Sequence, residues 1–351
     1  MKKILVTGGC GYIGAHTVVD LLENGYEVIS IDDNSRSSTY LLDGIEKITG
    51  ITIKNYNVDL KNFDETRAVF QENEDIEGII HFAAYKAVGE SVEEPLMYYE
   101  NNLFSLINIL KCVKEFTIPG FVFSSSCTVY GNPDEIPVTE SSPIKKAESP
   151  YGATKQMGET IVEDFSKVQT CNTILLRYFN PVGAHPSVHI GELPLGRPQN
   201  LVPAITQCAI GKIPEMTVYG TDYPTRDGSC IRDYIHVCDI AHAHTLALEL
   251  LINKKNKSAC EVFNLGSGNG VTVLEAIAAF EKISGQKLNY QLGPRRPGDV
   301  VAIYANNDLA RATLNWDIKY DLEDMMRTAW EWELKIKEDE KLIKAQNPVL
   351  N

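Results

Sequence analysis

The residues best suited by type and spacing to do chemistry lie in the stretch Ser149-Pro150-Tyr151-Gly152-Ala153-Thr154-Lys155. Serine at an N-cap followed by proline at the first helical position marks a helix start. Tyr151 and Lys155 then stand at i and i+4, one turn apart on a shared face. A free tyrosine titrates near about 10 and is a poor base at neutral pH. A cation beside it favours the phenolate. The pair therefore suits removal of a proton from a hydroxyl group. The same spacing is common on helices with no chemistry, so the surrounding sequence has to decide.

The chain begins with a short apolar run, Lys2 to Thr7, the pattern of a strand buried on both faces. It leads into Gly8-Gly9-Cys10-Gly11-Tyr12-Ile13-Gly14, which contains G-x-G-x-x-G at Gly9, Gly11 and Gly14. Helical spacing of Ile13, Val18, Leu21 and Leu22 follows and stops at Asn24-Gly25, a C-cap signal. A second strand, Glu27 to Ile31, ends at Asp32. Strand, glycine loop, helix, strand and acid together form a dinucleotide fingerprint. The glycines let backbone approach a pyrophosphate, and the helix N-terminus faces the anion. Asp32 suits ribose hydroxyls and would repel a ribose phosphate, which favours NAD over NADP, although Arg36 lies close in sequence.

Strand and helix patterns continue to alternate. Ile51 to Tyr56 reads as a strand, followed by Asp59, which could reach an adenine edge. A helix over about 62–73 leads to the strand Gly78 to Phe82. The small residues Ala83 and Ala84 and then Lys86 follow, where backbone can lie against a cofactor. His81, inside that apolar strand, reads as a core histidine. A long helix over about 95–116 carries Asn101, and the strand Gly120 to Ser124 ends in a serine cluster that includes Ser126. This alternation predicts an α/β fold, a Rossmann-like doubly wound parallel sheet. Ligands bind such sheets outside the carboxyl ends of the strands, where the glycine loop, residues 83–86 and the serine cluster all fall. Ser126 can bond a reacting oxygen, Tyr151 can take its proton, and Lys155 can hold ribose hydroxyls and bias Tyr151.

The bulk properties narrow the partners. The 351 residues suggest one large domain plus a second lobe. With 33 basic and 47 acidic residues the net charge is −14, and no basic run favours nucleic acid. The eight cysteines contain no C-x-x-C pair and read as reduced thiols in a cytoplasmic protein. The N-terminal apolar run is too short for a signal sequence, and no stretch is long enough to span a membrane.

The glycine loop, the serine cluster and Tyr151-x-x-x-Lys155 resemble the extended short-chain dehydrogenase/reductase family. Within it, 87–91, 124–131, 177–186 and 232–237 resemble the UDP-glucose 4-epimerases, a resemblance covering about residues 3 to 330. It implies NAD-dependent interconversion of UDP-galactose and UDP-glucose through a 4-keto sugar, by a homodimer joined through helices near 95–116 and 150–166. The cofactor site it implies comprises Gly8, Gly11, Tyr12, Ile13, Gly14, Asp32, Asn34, Asp59, Leu60, Phe82, Ala83, Ala84, Lys86, Asn101, Ser126, Tyr151, Lys155 and Phe179. The UDP-sugar site it implies adds Asn180, Asn200, Leu201, Thr217, Val218, Tyr219, Arg232, Arg296, Asp299 and Ile303 to Lys86, Ser126 and Tyr151. A dehydratase of this family carries an Asp-Glu pair after the catalytic hydroxyl residue. Cys127 and Thr128 stand there instead, which leaves hydride chemistry at one carbon and not elimination. A bacterial-type epimerase often has tyrosine where this chain has Ile303, and a smaller residue can admit an N-acetyl group. A UDP-sugar 4-epimerase for uronates or pentoses, and a non-catalytic NAD-binding regulator, are the competing readings.

The expected division is a dinucleotide-binding domain over 1–179, with a return segment at about 237–267, and a UDP-sugar lobe formed by 180–236 and 268–351. His185 and His189 lie in a Pro- and Gly-rich stretch, and His242 and His244 face different ways on a helix, so no metal is assigned. The charged tail from about Lys335 to Asn351 is expected to fray.

Overall fold

A computed structural model describes residues 1–193, 196, 198, 200–295 and 300–346. Its strands are β1 (Lys3–Thr7), β2 (Glu27–Ile31), β3 (Lys54–Tyr56), β4 (Ile76–His81), β5 (Gly120–Ser126), β6 (Asn172–Tyr178), β7 (Asn180–Val182), β8 (Met216–Tyr219), β9 (Ile231–His236), β10 (Cys260–Leu265), β11 (Gly270–Thr272), β12 (Tyr290–Gly293) and β13 (Ala302–Ile303). Its helices are α1 (Tyr12–Glu23), α2 (Tyr40–Thr49), α3 (Phe63–Glu72), α4 (Val88–Glu93), α5 (Pro95–Glu115), α6 (Pro150–Val168), α7 (Leu201–Ala209), α8 (Val237–Ile252), α9 (Val273–Ser284), α10 (Asp308–Leu314), α11 (Leu322–Glu338) and α12 (Glu340–Gln346).

A seven-stranded parallel sheet, in the order β10-β6-β5-β4-β1-β2-β3, carries the fold. Its strands are apolar on both faces because helices cover both. One layer buries Ile4, Val6, Ile80, Val122 and Ile174 against α1 and α8. The other buries Leu5, Ile79, Phe121 and Leu175 among side chains of α3 and α5 such as Val69, Phe70, Leu106 and Ile109. Strand order reverses beside β1, whose Thr7 pairs with Ile31 on one side and His81 on the other. That reversal opens a crevice at the strand ends. Smaller sheets complete the molecule: β11-β9-β13 with β7 on β9, and β12 with β8.

Two segments differ from the sequence reading. The strand expected over 51–56 is paired only from Lys54, and α2, which was not anticipated, precedes it. Helix α2 buries Tyr40, Leu41, Gly44 and Ile45 along one stripe and ends on Gly50 at φ 71°. The tail is also ordered further than expected. Helix α11 runs to Glu338, and α12 follows to Gln346. Their polar composition hides a stripe, Met325, Met326, Ala329, Trp332 and Ile336, at helical spacing. Ile343 on α12 is buried in the same core as Trp332 and Tyr40. Tyr40 Oη donates to Asp339, and Gln346 Nε2 donates to Asp43 at 2.7 Å.

Candidate active site

Helix α6 starts as its sequence demands. Ser149 caps it by accepting from the Gly152 amide at 3.1 Å, and Pro150 occupies the first turn. This brings Tyr151 and Lys155 against the end of β5. Tyr151 is 7% exposed, Lys155 4% and Ser126 6%. Lys155 Nζ donates to the Ser124 carbonyl at 2.7 Å and lies 6.0 Å from the centre of the Tyr151 ring. Ser124 Oγ donates to Tyr178 Oη at 2.8 Å.

Burial dominates the electrostatics of this pair. Burial pushes the Tyr151 phenol above the ordinary tyrosine range, reinforced by Tyr178 nearby and opposed by the Ser126 hydroxyl. Lys155 itself is lowered to about 8 by burial, against the pull of Glu159. Burial thus opposes the charged form of both groups.

The glycine loop forms a narrow cradle. Gly8 stands at φ 73°, and a Cβ there would lie 3.0 Å from the Ala83 amide nitrogen. A Cβ on Gly14 would fall 2.1 Å from the Gly8 carbonyl oxygen. Backbone thus comes close to any ligand over Gly11, the N-cap of α1, which has no side-chain cap. The amides of Cys10 and Asn34 each donate to the Asp32 carboxylate at 3.0 Å, and Ser37 Oγ does so at 2.6 Å. This cradle and its acid fit a dinucleotide with free ribose hydroxyls. Arg36 donates to Glu90 at 2.9 Å and stacks 4.8 Å over Tyr85.

Asp59 accepts from the Lys61 amide at 2.9 Å, Leu60 is buried, and the Leu60 carbonyl accepts from Asn108 at 2.9 Å. Phe82 donates its amide to Thr7 at 3.1 Å, directly beyond β4. Ile13 is partly buried against the core. Tyr12 Oη reaches across to the Gly183 carbonyl at 2.5 Å. Asn101 donates to Asn102 at 3.1 Å. Asn102 itself was missed from sequence: it accepts from the Tyr85 amide at 2.8 Å and donates to Thr154 at 3.1 Å, tying residues 83–86 to α6. Its neighbour Asn101 was the only signal.

Of the residues expected at the UDP-sugar, Ile303 packs with Val129, Tyr130 and Phe179, the last expected at the cofactor, and Cys127 lies against that cluster. Arg232 and Asp233 are close enough to Cys127 to act on its thiol. Arg232 also donates to the Val300 carbonyl at 2.6 Å. Asn180 donates to the Asp233 carbonyl at 2.8 Å. Asn200 and Lys86 converge on one carboxylate oxygen of Glu192, at 3.0 and 2.9 Å. Leu201 opens α7, and Thr217, Val218 and Tyr219 lie on β8, which pairs with β12. Arg296 and Asp299 fall outside the described residues.

Several histidines are bonded within the fold. His81 bonds Thr7 at 2.8 Å, His242 bonds Asp20 at 3.2 Å, and His244 bonds the Ile240 carbonyl at 2.8 Å. Among the described residues no three His, Cys, Asp or Glu side chains gather as a metal site.

Comparison with known proteins fits this geometry. The GDP-mannose 4,6 dehydratase family matches residues 5–329. UDP-glucose 4-epimerase 2 of Arabidopsis thaliana is 48% identical over 335 residues, 94% of this chain and 95% of that protein. This chain belongs to the UDP-glucose 4-epimerases. The crystal structure of the Bifidobacterium longum UDP-glucose 4-epimerase, in complex with NAD+ and UDP, superposes with a TM-score of 0.91 at 44% identity, covering 95% of this chain and 98% of that one. The Stenotrophomonas epimerase, with bound NAD and formylated UDP-arabinopyranose, superposes at 0.93 and 42% identity, covering 96% and 99%. The broader family includes dehydratases, but this epimerase-family chain has Cys127 and Thr128 where a dehydratase holds its acids.

Proposed function

We propose that this chain interconverts UDP-galactose and UDP-glucose by reversible oxidation at C4 of the hexose, through a 4-keto sugar. The observation that carries the reading is the convergence of Ser126, Tyr151 and Lys155 in one buried corner beside the dinucleotide cradle. Bound NAD supplies the acceptor and donor of the C4 hydride. Ser126 bonds the sugar O4, and Tyr151 takes the O4 proton and later returns it. Lys155, held on the Ser124 carbonyl, offsets charge on the phenolate. Burial of all three keeps water from the ketone. Asn180, Asn200, Leu201, Thr217, Val218, Tyr219, Arg232, Arg296, Asp299 and Ile303 are assigned to the UDP-sugar, and the residues around Gly8, Asp32, Asp59 and Lys86 to NAD. Sugar deuterated at C4 tests the reading. Epimerised product that retains its deuterium supports it, and loss of the label to solvent contradicts it.

The dinucleotide domain is assigned to 1–179 with 237–267, and the sugar lobe to 180–236 and 268–351. Support comes from the large sheet, whose strands lie in 3–178 and 260–265. Homodimerisation is assigned to α5 and α6, where Leu96, Phe104 and Met157 expose apolar surface. A cytoplasmic location agrees with eight free cysteines, and a role in galactose metabolism follows from the proposed reaction. Among the described residues no helix is long and apolar enough to cross a membrane.

A broader substrate range is a second reading. Ile303 is 5% exposed and β-branched, a fixed wall smaller than tyrosine. Turnover of UDP-N-acetylglucosamine is expected, and its absence with pure protein would refute this extension. UDP-pentoses form the next class to try, since the Stenotrophomonas relative was solved with a UDP-pentose derivative. A non-catalytic NAD-binding regulator would have no use for the Ser126, Tyr151 and Lys155 arrangement.

A further inference from the structure

Three successive turns of α6 are tied to three successive residues of β5. The Tyr151 turn meets Ser126, whose hydroxyl acts on the phenol. The Lys155 turn meets the Ser124 carbonyl at 2.7 Å. The third turn meets Ser125, whose hydroxyl donates to Glu159 Oε1 at 2.5 Å. Tyr151, Lys155 and Glu159 lie at i, i+4 and i+8, on one face of the helix.

Glu159 has no role in binding or chemistry in the reading above, yet it is 5% exposed and charged. It is held by Arg177 of β6 through two parallel bonds, Nε to Oε1 at 2.9 Å and Nη2 to Oε2 at 2.7 Å. Arg177 in turn donates to Tyr130 Oη at 3.1 Å, and Tyr130 donates to Asn264 at 2.6 Å. A buried pair of this kind is weak evidence for added stability, because desolvation consumes much of the attraction. A fork-held carboxylate does, however, fix a charge in place.

Resting on the epimerase reading, we propose that Glu159 is the positioning residue of the active site. It clamps α6 onto the tip of β5 and keeps a negative charge one turn behind Lys155, so that the lysine stays protonated while Tyr151 works. Among the described residues, Glu159 is the one carboxylate that acts on Lys155. Helix α6 presents Tyr151 and Glu159. Strand β4 presents His81, which burial holds neutral, with a pKa lowered to about 3. Strand β5 presents the Ser124 carbonyl and the Phe123 ring, 5.0 Å from Nζ. Strand β6 presents Arg177 behind Glu159 and Tyr178 through Ser124. Burial and Glu159 thus oppose each other at Lys155.

The test is Glu159→Gln in the full-length protein, with two readouts. The first is the titration of Lys155 by NMR of isotopically labelled lysine, assigned with Lys155→Arg. The second is the pH profile of kcat. Both the lysine titration and the alkaline limb are expected to move to lower pH by about half a unit or more, with KM little changed. Where the single variant folds poorly, Glu159→Gln with Arg177→Met removes both buried charges together, and a smaller shift in the same direction is expected. A Lys155 titration unmoved in a folded variant would overturn the proposal. Because the lysine titration does not depend on turnover, it separates this outcome from an inactive wild type, which would overturn the epimerase reading instead.

Discussion

Lys155 and Ser124 are joined by a 2.7 Å bond from the ammonium on α6 to a backbone carbonyl of β5. The catalytic helix and the strand that delivers Ser126 therefore share one anchor. The ammonium bears the cost of burial, and its pKa falls to about 8 from an ordinary 10.5. Between those two values the unfolded chain binds a proton that the folded chain has released, so this group makes stability rise with pH across that window. Urea unfolding at pH 8 and pH 10 is expected to show that rise in the wild type relative to Lys155→Met, in which this contribution is gone. Equal pH dependence in the two proteins would contradict the assignment.

Tyr151→Phe removes the group proposed to take the O4 proton and leaves the ring in place. A loss in kcat on the order of 10²–10⁴-fold is expected, with little change in KM. Ser126→Ala should act in the same direction, because the hydroxyl both bonds O4 and opposes the upward shift of the phenol. Steady-state kinetics with UDP-galactose checks both. A Tyr151→Phe enzyme of normal rate would remove the mechanism.

Acid should destabilise the fold through buried histidines. His16, His81 and His236 are lowered to about 3 and His244 to about 4, in each case chiefly by burial. Between those values and the ordinary 6.5 the unfolded chain binds more protons, so stability falls as pH drops through that window. The slope approaches about 1.4 kcal/mol per pH unit for each fully differing group. Calorimetry from pH 7 to pH 5 should show a falling Tm with proton uptake on unfolding. His242 acts oppositely: Asp20 raises it, so its smaller contribution is present in acid and lost as pH rises through its folded pKa.

The C-terminal helices are structural. Ile343 is 3% exposed and packs in the core that holds Trp332 and Tyr40. Ile343→Ala should cost about 2–4 kcal/mol in denaturant unfolding and leave KM unchanged. A loss under about 0.5 kcal/mol, the usual effect of a surface change, would show that α12 does not belong to the core.

The parts of this structure set by local signals were legible in the sequence. The glycine loop, the N-cap at Ser149 and the apolar parallel strands each follow from spacing over a few residues, and all stand close to where spacing put them. Helix α2 and the tail were not legible. Their apolar stripes are thin and set among charges, and only contact between Tyr40, Trp332 and Ile343, some 300 residues apart in the chain, makes them core. The site divides in the same way. Tyr151, Lys155 and Ser126 follow from type and spacing, whereas Asn102 and Glu159 matter through partners on other elements. The burial of Tyr151 and Lys155 also needed the structure, because sequence does not report burial.

The most direct test of the account is to incubate the purified protein with UDP-galactose and no added NAD, and to follow the sugar by proton NMR. Appearance of UDP-glucose is the predicted result, and it would show epimerisation with a retained cofactor. No conversion, even after NAD is added, would contradict the proposed reaction and leave only the fold and the family standing.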